Sequence, residues 1–321
     1  MTLKIYKPEV FQGNLKMKNY FEGWYFKHIS EDLNNVWSFI PGLSLTENDP
    51  HSFIQVINGI SGESEYIRYP LDAFKWDRRN LYVKVGDSVF TGKNADLKIE
   101  NDKLNVSGHL EYSNIIKYPK KLLSPGIMGW YSFVPFMECK HGIVSVNHDL
   151  KGVLTVNDTG IDFSGGKGYI EKDWGTSFPE AWLWIQANNF SNYDTSFTFS
   201  VAKIPWLGKF FIGFIAFLHY NKKFHLFSTY NDSSITEINH TSDHINLSIK
   251  NSNSTLKISV LRKTFGELRA PASGSMSRRI KESIDSEVII SLYDNQKNLL
   301  YTDTSRRAGL EVIEKIFEYL K

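Results

Sequence analysis

Cysteine is almost absent from this chain, since Cys139 is the only one among 321 residues. A single cysteine excludes an intrachain disulfide and a cysteine-based zinc site. A chain without disulfides suits a reducing compartment, and the N-terminal MTLKIYKPEVFQGN lacks the basic-then-apolar pattern of a signal peptide. We therefore expect a cytoplasmic protein.

Long apolar runs and an excess of charge are missing as well. The most apolar run, FFIGFIAFLHY at residues 210–220, is shorter than the about 20 residues that span a bilayer, so we predict a buried strand. The 37 Lys and Arg residues nearly balance the 35 Asp and Glu residues, giving a net charge of +2. This balance gives no electrostatic basis for nucleic acid as a partner, and we expect a soluble protein.

Several familiar catalytic motifs are also absent. The chain has no Gly-x-Ser-x-Gly turn, and SGGKGY lacks the Lys-Ser/Thr ending of a phosphate-binding loop. His141 and His148 are an odd number of residues apart, so on one regular strand they face opposite ways. With no clustered ligands in the sequence, we expect no metal site.

Aromatic residues are abundant, with 8 Trp, 16 Tyr and 22 Phe, and they favour strands. Short strand-like runs, separated by turn residues roughly every 8 to 12 positions, are typical of barrels and sandwiches. We predict an all-β protein with two packed β-barrel or β-sandwich domains, residues 1–165 and 166–321. Only the tail has helical spacing, and it predicts a C-terminal α-helix with one apolar face, formed by Leu310, Ile313, Phe317 and Leu320.

The first strand, YFEGWYFKH at residues 20–28, places Glu22 and Trp24 on one face and Tyr25 on the other. Trp24 either plugs one end of a barrel against an arginine such as Arg306 or Arg307, or lines a site. A carboxylate on the face of Trp24 has to be paired, solvated or shifted in pKa. Glu22 is therefore a candidate acid.

A second aromatic stretch, YIEKDWGTSFPEAWLWIQANNF at residues 169–190, combines acids with tryptophans. Strand alternation puts Glu171 and Asp173 on one face and Trp174 on the other; after the turn, Trp182, Trp184 and Gln186 share a face. The tryptophans are either core residues or the wall of a site. A desolvated carboxyl can stay protonated and act as an acid, and tryptophan faces can stabilise a developing cation.

These segments resemble the tocopherol cyclase family. The resemblance is carried by YFEGWYFK (residues 20–27), SFIQVING (52–59), GYIEKDWGTSFPEAWLWIQANNF (168–190) and LYDNQKNLLYTDTSRRAGLEV (292–312). They are spread over nearly the whole chain, and the third is the most specific. Related two-barrel proteins, including carotenoid hydratases, carry an acidic–basic–acidic–Trp run similar to residues 171–174.

The resemblance implies two lipocalin-like β-domains and a pocket for a small hydrophobic, prenylated substrate. It also implies ring closure of a prenylated hydroquinone without a cofactor: a proton adds to the alkene of the tail, and the phenol oxygen captures the carbocation. The candidate acids are Glu171, Asp173 and Glu22. The expected substrate-binding residues are Trp174, Trp182, Trp184, Gln186, Trp24 and Tyr25.

Two other functions remain open. The chain could bind a lipid or isoprenoid without catalysis, because lipocalin-like barrels hold apolar ligands readily. It could also hydrate an alkene, with water instead of a phenol capturing the cation. A substrate that resides in a bilayer would imply transient membrane contact, although no basic amphipathic helix indicates it.

Overall fold

The computed structural model describes residues 4–135, 137–206 and 208–320. The chain forms two compact units. The first comprises Met1–Asn58, Glu63–Phe178 and Glu267–Ile280, and the second comprises Gly59–Gly62, Pro179–Gly266 and Lys281–Lys321.

In the described part of the chain, the first sheet has 12 antiparallel strands in the order β4-β3-β2-β1-β12-β10-β9-β8-β7-β6-β5, with β11 on β10. The strands are β1 (Tyr20–Ile29), β2 (Val36–Leu45), β3 (His51–Asn58), β4 (Ser64–Pro70), β5 (Phe74–Trp76), β6 (Tyr82–Val85), β7 (Ser88–Thr91), β8 (Asn94–Glu100), β9 (Asn105–Ile116), β10 (Cys139–Val156), β11 (Thr159–Asp162) and β12 (Lys167–Gly175).

Alternation along these strands builds the first core. Trp24, Phe26 and Ile170 point to one side and belong to a single buried apolar cluster. The sheet curls around this cluster, so that β2 and β3 approach β6. Curling of this kind lets one sheet enclose its own core, as in a barrel.

Over the same described residues, the second sheet has 10 antiparallel strands in the order β16-β15-β14-β13-β22-β21-β19-β18-β17, with β20 on β21. The strands are β13 (Trp182–Ala187), β14 (Ser196–Trp206), β15 (Lys209–Tyr220), β16 (Lys223–Ser228), β17 (Ser234–His240), β18 (His244–Lys250), β19 (Ser254–Leu261), β20 (Gly266–Ala272), β21 (Ser275–Asp294) and β22 (Leu299–Val312). Leu183, Ile185 and Val288 are among the residues of its buried core.

The all-β, lipocalin-like class predicted from the sequence is confirmed, and the apolar run at residues 210–220 lies within β15. Among the residues that the structure describes, helical structure is confined to short 3-10 turns at η1 (Lys4–Tyr6), η2 (Leu71–Ala73), η3 (Gly129–Phe133) and η4 (Glu314–Glu318).

The predicted C-terminal α-helix is wrong. Leu310 lies in β22, where it pairs with Ile185 of β13 and Ser283 of β21. Pairing on both sides satisfies the backbone of this segment as a strand, and only η4 follows it. The tail buries Ile316 and Phe317, while Lys321 lies outside the described residues.

The two compact units differ from the predicted domains 1–165 and 166–321. Strand β12 belongs to the first unit because it pairs with β1 along one edge and with β10 along the other. Residues 267–280 also belong to the first unit. The assignment of 1–165 and 166–321 as domains stays a prediction.

Candidate active site

The register between β1 and β12 sorts the candidate residues onto two faces of the first sheet. Trp24 lies opposite Lys172, Glu22 opposite Trp174, and Tyr25 opposite Glu171. Directly opposed residues of antiparallel strands point to the same side. Glu22 therefore shares the core side with Trp24, whereas Glu171 shares the other side with Tyr25.

On the core side, Glu22 forms a fully buried ion pair with Lys172. Its oxygens accept the backbone N–H of Gln12 at 2.8 Å and of Gly13 at 3.1 Å, as well as the hydroxyl of Tyr20. Both oxygens are thus occupied by donors of the protein. The geometry favours a structural role for Glu22, in which it fastens the N-terminal segment to β1.

Lys172 is held by more than its carboxylate partner. Its Nζ donates to the carbonyl oxygens of Pro8 at 2.9 Å and Val10 at 2.6 Å, and it lies 4.6 Å from the ring centroid of Trp24 and 4.9 Å from that of Trp174. Burial lowers the pKa of Lys172 to about 8, against the opposing effect of the Glu22 charge. The faces of both tryptophans are therefore already turned to a cation of the protein itself.

The packing of Arg306 or Arg307 on Trp24 stays a prediction. Arg307 forms an ion pair with Asp285, and the Nε atom of Arg306 lies 3.8 Å from Glu287. The cation on Trp24 is the lysine of β12, because strand pairing sets Lys172 directly opposite this tryptophan.

On the other side of the sheet, His141 of β10 lies between two carboxylates. Pairing of β10 with β12 puts His141 directly opposite Asp173, and Glu171 lies two positions along the same face. His141 Nδ1 is 2.9 Å from Asp173 Oδ1, and Nε2 is 3.7 Å from Glu171 Oε2. The His141 side chain is 15% exposed and that of Glu171 only 6%.

This placement sets the charge of the histidine. Burial lowers the pKa of His141, but the charges of Asp173 and Glu171 and the hydrogen bond to Asp173 outweigh it, so the pKa is raised from 6.5 to about 9. At neutral pH the ring is an imidazolium. Its Nδ1–H donates to Asp173, whereas Nε2 makes no hydrogen bond within the described part of the chain.

Glu171 has a further partner in Tyr169, whose hydroxyl donates to Oε2 at 2.5 Å. Tyr169 is fully buried. Tyr169, Glu171 and His141 thus form a row of titratable groups that is largely excluded from water, in which His141 Nε2 lies 3.7 Å from Glu171 without a hydrogen bond. Groups of these types can act as acids and bases.

The same three side chains also offer ligand atoms for a metal ion. Among the described residues, His141, Glu171 and Asp173 are the one group whose ligand atoms lie close enough to hold an ion, all within 4.8 Å of one another. One histidine and two carboxylates would suit a divalent cation, but the strong attraction of a proton to His141 competes with such binding. The expectation of no metal stays a prediction.

A small cavity is lined in part by His141. It measures about 120 Å³ and is lined by residues that include Met128, Ser132, His141 and Trp174. An apolar cavity of roughly 150 Å³ holds one benzene ring. The cavity therefore has room for about one aromatic ring.

The second unit carries the tryptophan face expected from the sequence. Trp182, Trp184 and Gln186 are all buried and point away from the core formed by Leu183 and Ile185. Trp182 Nε1 donates to Glu311 at 2.7 Å. The Trp184 ring lies over Gly309, where an added Cβ would be 2.6 Å from the ring.

The acids and this tryptophan face thus belong to different units. Glu22, Glu171 and Asp173 lie in the first unit, as do Trp24, Tyr25 and Trp174, whereas Trp182, Trp184 and Gln186 lie in the second. The roles assigned to all these residues stay predictions.

A second polar group, which sequence analysis does not predict, lies inside the first sheet. His28 Nε2 is 2.8 Å from the Tyr112 hydroxyl, and His148 Nδ1 is 2.9 Å from Ser145 Oγ. Burial lowers the pKa of His28 to about 3 and also lowers the pKa of His148, so both rings are neutral. The ring of His148 occupies the space left by the missing side chain of Gly168.

Comparison with known sequences identifies the family. The sequence model of the family described as tocopherol cyclase-like matches residues 83–313, which is well over half of the chain. The chain belongs to the tocopherol cyclase-like family. The matched range includes His141, Glu171 and Asp173, whereas Glu22 and Trp24 precede it.

One curated relative in this family is named probable tocopherol cyclase, chloroplastic, from Oryza sativa subsp. japonica. It is 25% identical over 195 residues, which cover 57% of this chain and 41% of the rice protein. The chain therefore spans less than half the length of that relative. The predicted cytoplasmic location is not tested by this match.

Solved structures share the fold of this tocopherol cyclase-like chain. CghA is 9% identical with a TM-score of 0.57, covering 91% of this chain and 88% of CghA. Kievitone hydratase from Nectria haematococca is 11% identical with a TM-score of 0.51, covering 95% of this chain and 93% of the hydratase. At these identities the likeness concerns the fold alone.

The fold also bears on the predicted relation to membranes. Within the described residues, no helix is long and apolar enough to cross a bilayer. Transient contact with a membrane stays a prediction of its own.

Proposed function

We propose that this protein is a tocopherol cyclase-like enzyme that closes a ring on a prenylated hydroquinone or another isoprenoid-type apolar substrate. The observation that carries the proposal is the partly buried His141, set between Asp173 and Glu171 with its pKa raised to about 9. Membership of the tocopherol cyclase-like family supports the reaction class.

Glu171 is the proposed acid. In water, the mobile proton rests on His141 as an imidazolium beside two carboxylates. A bound apolar substrate excludes water, which makes separated charges costlier than a neutral pair. The proton then moves from Nε2 to Glu171, whose Oε2 lies 3.7 Å away, and Glu171 becomes a neutral carboxylic acid.

The reaction balances without a redox partner. Glu171 transfers its proton to the less substituted alkene carbon, which leaves a tertiary carbocation. The phenol oxygen bonds to that carbon, and its proton returns to the carboxylate. The product is an isomer of the substrate, and Asp173 keeps His141 oriented throughout.

Trp182, Trp184 and Gln186 of the second unit stay proposed substrate-binding residues. Trp24 is a weaker candidate because Lys172 covers its face. Trp174 shares this lysine but lines the ring-sized cavity. Tyr25 lies opposite Glu171 and is 8% exposed.

The test is turnover of a panel of prenylated hydroquinones, followed by chiral chromatography with mass detection. We expect one enantiomer of a product of unchanged mass. Glu171→Gln should lower turnover by about 100-fold or more, because its amide cannot donate an acidic proton. The matched control Glu47→Gln changes a carboxyl that is 69% exposed and should leave turnover unchanged.

The same assay separates the other functions. Uptake of labelled oxygen from water into the product would identify an alkene hydratase. An apolar ligand recovered intact, with no turnover of any substrate, would identify a binding protein. If Glu171→Gln and Asp173→Asn both turn over substrate like the wild type, the acid assignment is wrong. Inhibition by a chelator that a divalent cation relieves would indicate that His141, Glu171 and Asp173 bind a metal ion.

A further inference from the structure

The connection between β9 and β10 carries the most exposed large apolar side chains of the described chain. Leu122 is 80% exposed and Leu123 75%. They form the tip of a tight turn, closed by two backbone hydrogen bonds between Lys121 and Ser124 at 2.8 and 3.0 Å. Turn corners usually hold Gly, Asn, Asp, Pro or Ser, so two adjacent leucines there depart from local preference.

Two aromatic residues continue the apolar surface. Trp130 is 50% exposed and Phe133 is 45% exposed. Trp130 stacks on Tyr131 with ring centroids 4.2 Å apart. Phe133 packs edge-on against Tyr6, whose hydroxyl donates to the backbone of the tip at Leu122. These contacts hold residues 117–133, which we term the 117–133 segment, in one defined shape.

All charged side chains of the 117–133 segment itself are lysines. Lys117, Lys120 and Lys121 precede the tip, and no acidic residue occurs between Glu111 and Glu138 in the sequence. Lys120 is paired with Glu9 at 3.1 Å. Within the described residues, no ion pair involves Lys117 or Lys121, and both are exposed.

We propose that the 117–133 segment is a membrane-docking loop, which inserts Leu122 and Leu123 into the surface of a bilayer that contains anionic lipids. Leucine supplies the apolar area, tryptophan prefers the interface between lipid and water, and free lysines are attracted to anionic headgroups. The segment also lines the ring-sized cavity, through Met128 and Ser132 among others. A molecule dissolved in the bilayer would therefore reach the cavity without crossing water.

Flotation of the full-length protein with vesicles tests this inference without any substrate. One set of vesicles is phosphatidylcholine alone, and the other is an equal mixture with phosphatidylglycerol. We expect binding to the mixed vesicles that weakens as salt is added. Leu122→Ser with Leu123→Ser should weaken binding by roughly 100-fold, and Lys117→Gln with Lys121→Gln by about 25-fold.

The chain offers a matched control in Leu299 and Leu300, adjacent leucines that are 53% and 49% exposed. Changing both to serine should leave vesicle binding unchanged. The inference is overturned if the wild type binds neither vesicle, or if the Leu122 and Leu123 variant binds like the wild type. It is also overturned if light scattering shows a dimer for the wild type and a monomer for that variant, because a second copy of the chain then covers the loop.

This inference and the proposed function can fail separately. If the protein binds vesicles but turns over no prenylated substrate, the docking-loop inference stands and the cyclase proposal fails. If it cyclises detergent-solubilised substrate but does not bind vesicles, only the docking-loop inference fails.

Discussion

Replacing Asp173 by asparagine should uncover the electrostatics of the site without any knowledge of the substrate. The pKa of His141 is raised from 6.5 to about 9, and one pKa unit corresponds to about 1.4 kcal/mol. The carboxylates therefore favour the imidazolium by about 3 kcal/mol beyond the cost of burial. Asp173 supplies the hydrogen bond at 2.9 Å, so we assign about 2 kcal/mol of this to it.

The sign of the pH dependence follows from the raised pKa. The stabilisation is fully present below the ordinary pKa of 6.5 and is lost as pH rises through about 9. Asp173→Asn should therefore lower the free energy of unfolding by about 2 kcal/mol near pH 6, and by much less above about pH 9.5. Urea unfolding at the two pH values measures this difference, and an NMR titration of the His141 ring measures its pKa directly.

The exposed pair of His109 and Asp96 is a matched control, with side chains 47% and 50% exposed. Such a pair contributes at most about 1 kcal/mol, so Asp96→Asn should barely change stability. If Asp173→Asn behaves like Asp96→Asn, or if His141 in the wild type titrates near 6.5, the description of the site as a partly buried imidazolium between two carboxylates fails.

Two further changes probe the interior of the first sheet. Glu22→Gln leaves the buried ammonium of Lys172 without its charge partner and should lower the free energy of unfolding, measured with urea, by about 3 to 5 kcal/mol. Glu22→Gln combined with Lys172→Met should recover most of that loss. A double variant as unstable as the single one would contradict this. Gly168→Ala sets a Cβ 2.0 Å from the ring of His148 and should lower the melting temperature through an overpacking cost of about 1 to 3 kcal/mol. Gly160→Ala meets its nearest atom only at 4.0 Å and should melt like the wild type; equal melting of the two glycine variants would refute the clash.

Strand faces were predictable because side chains alternate with a period of two. The separation of Glu171 and Asp173 from Trp174, and of Trp182 and Trp184 from the aliphatic core, needed only that period. The helical tail was misjudged since four apolar residues at spacings of three or four also fit a strand followed by a turn. Only the pairing of Leu310 with neighbouring strands decides between the two.

The partner of the acids could not be read from the sequence. His141 meets Asp173 because β10 and β12 pair in one register, and register depends on contacts between residues about 30 positions apart. The same limit applies to Glu22: alternation places it on the face of Trp24 and makes it a candidate acid, but does not reveal Lys172 on the neighbouring strand. Alternation assigns a residue to a face, but only the sheet order assigns its neighbours.

The first unit includes residues 267–280 from late in the chain, and this affects how the protein can fold during synthesis. The Gln55 side chain exchanges two hydrogen bonds with the backbone of Arg269, at 2.9 and 2.8 Å, and Ser44 donates to the carbonyl of Gly274 at 2.7 Å. A nascent chain that has emerged only as far as residue 178 therefore lacks part of its first unit. The ribosome has to add about one hundred more residues, as far as Ile280, before that unit is complete. The N-terminal half therefore cannot finish folding while only the first 178 residues have been made. A truncation after residue 178 would preserve β1 to β12 and still leave Gln55 without the backbone it binds.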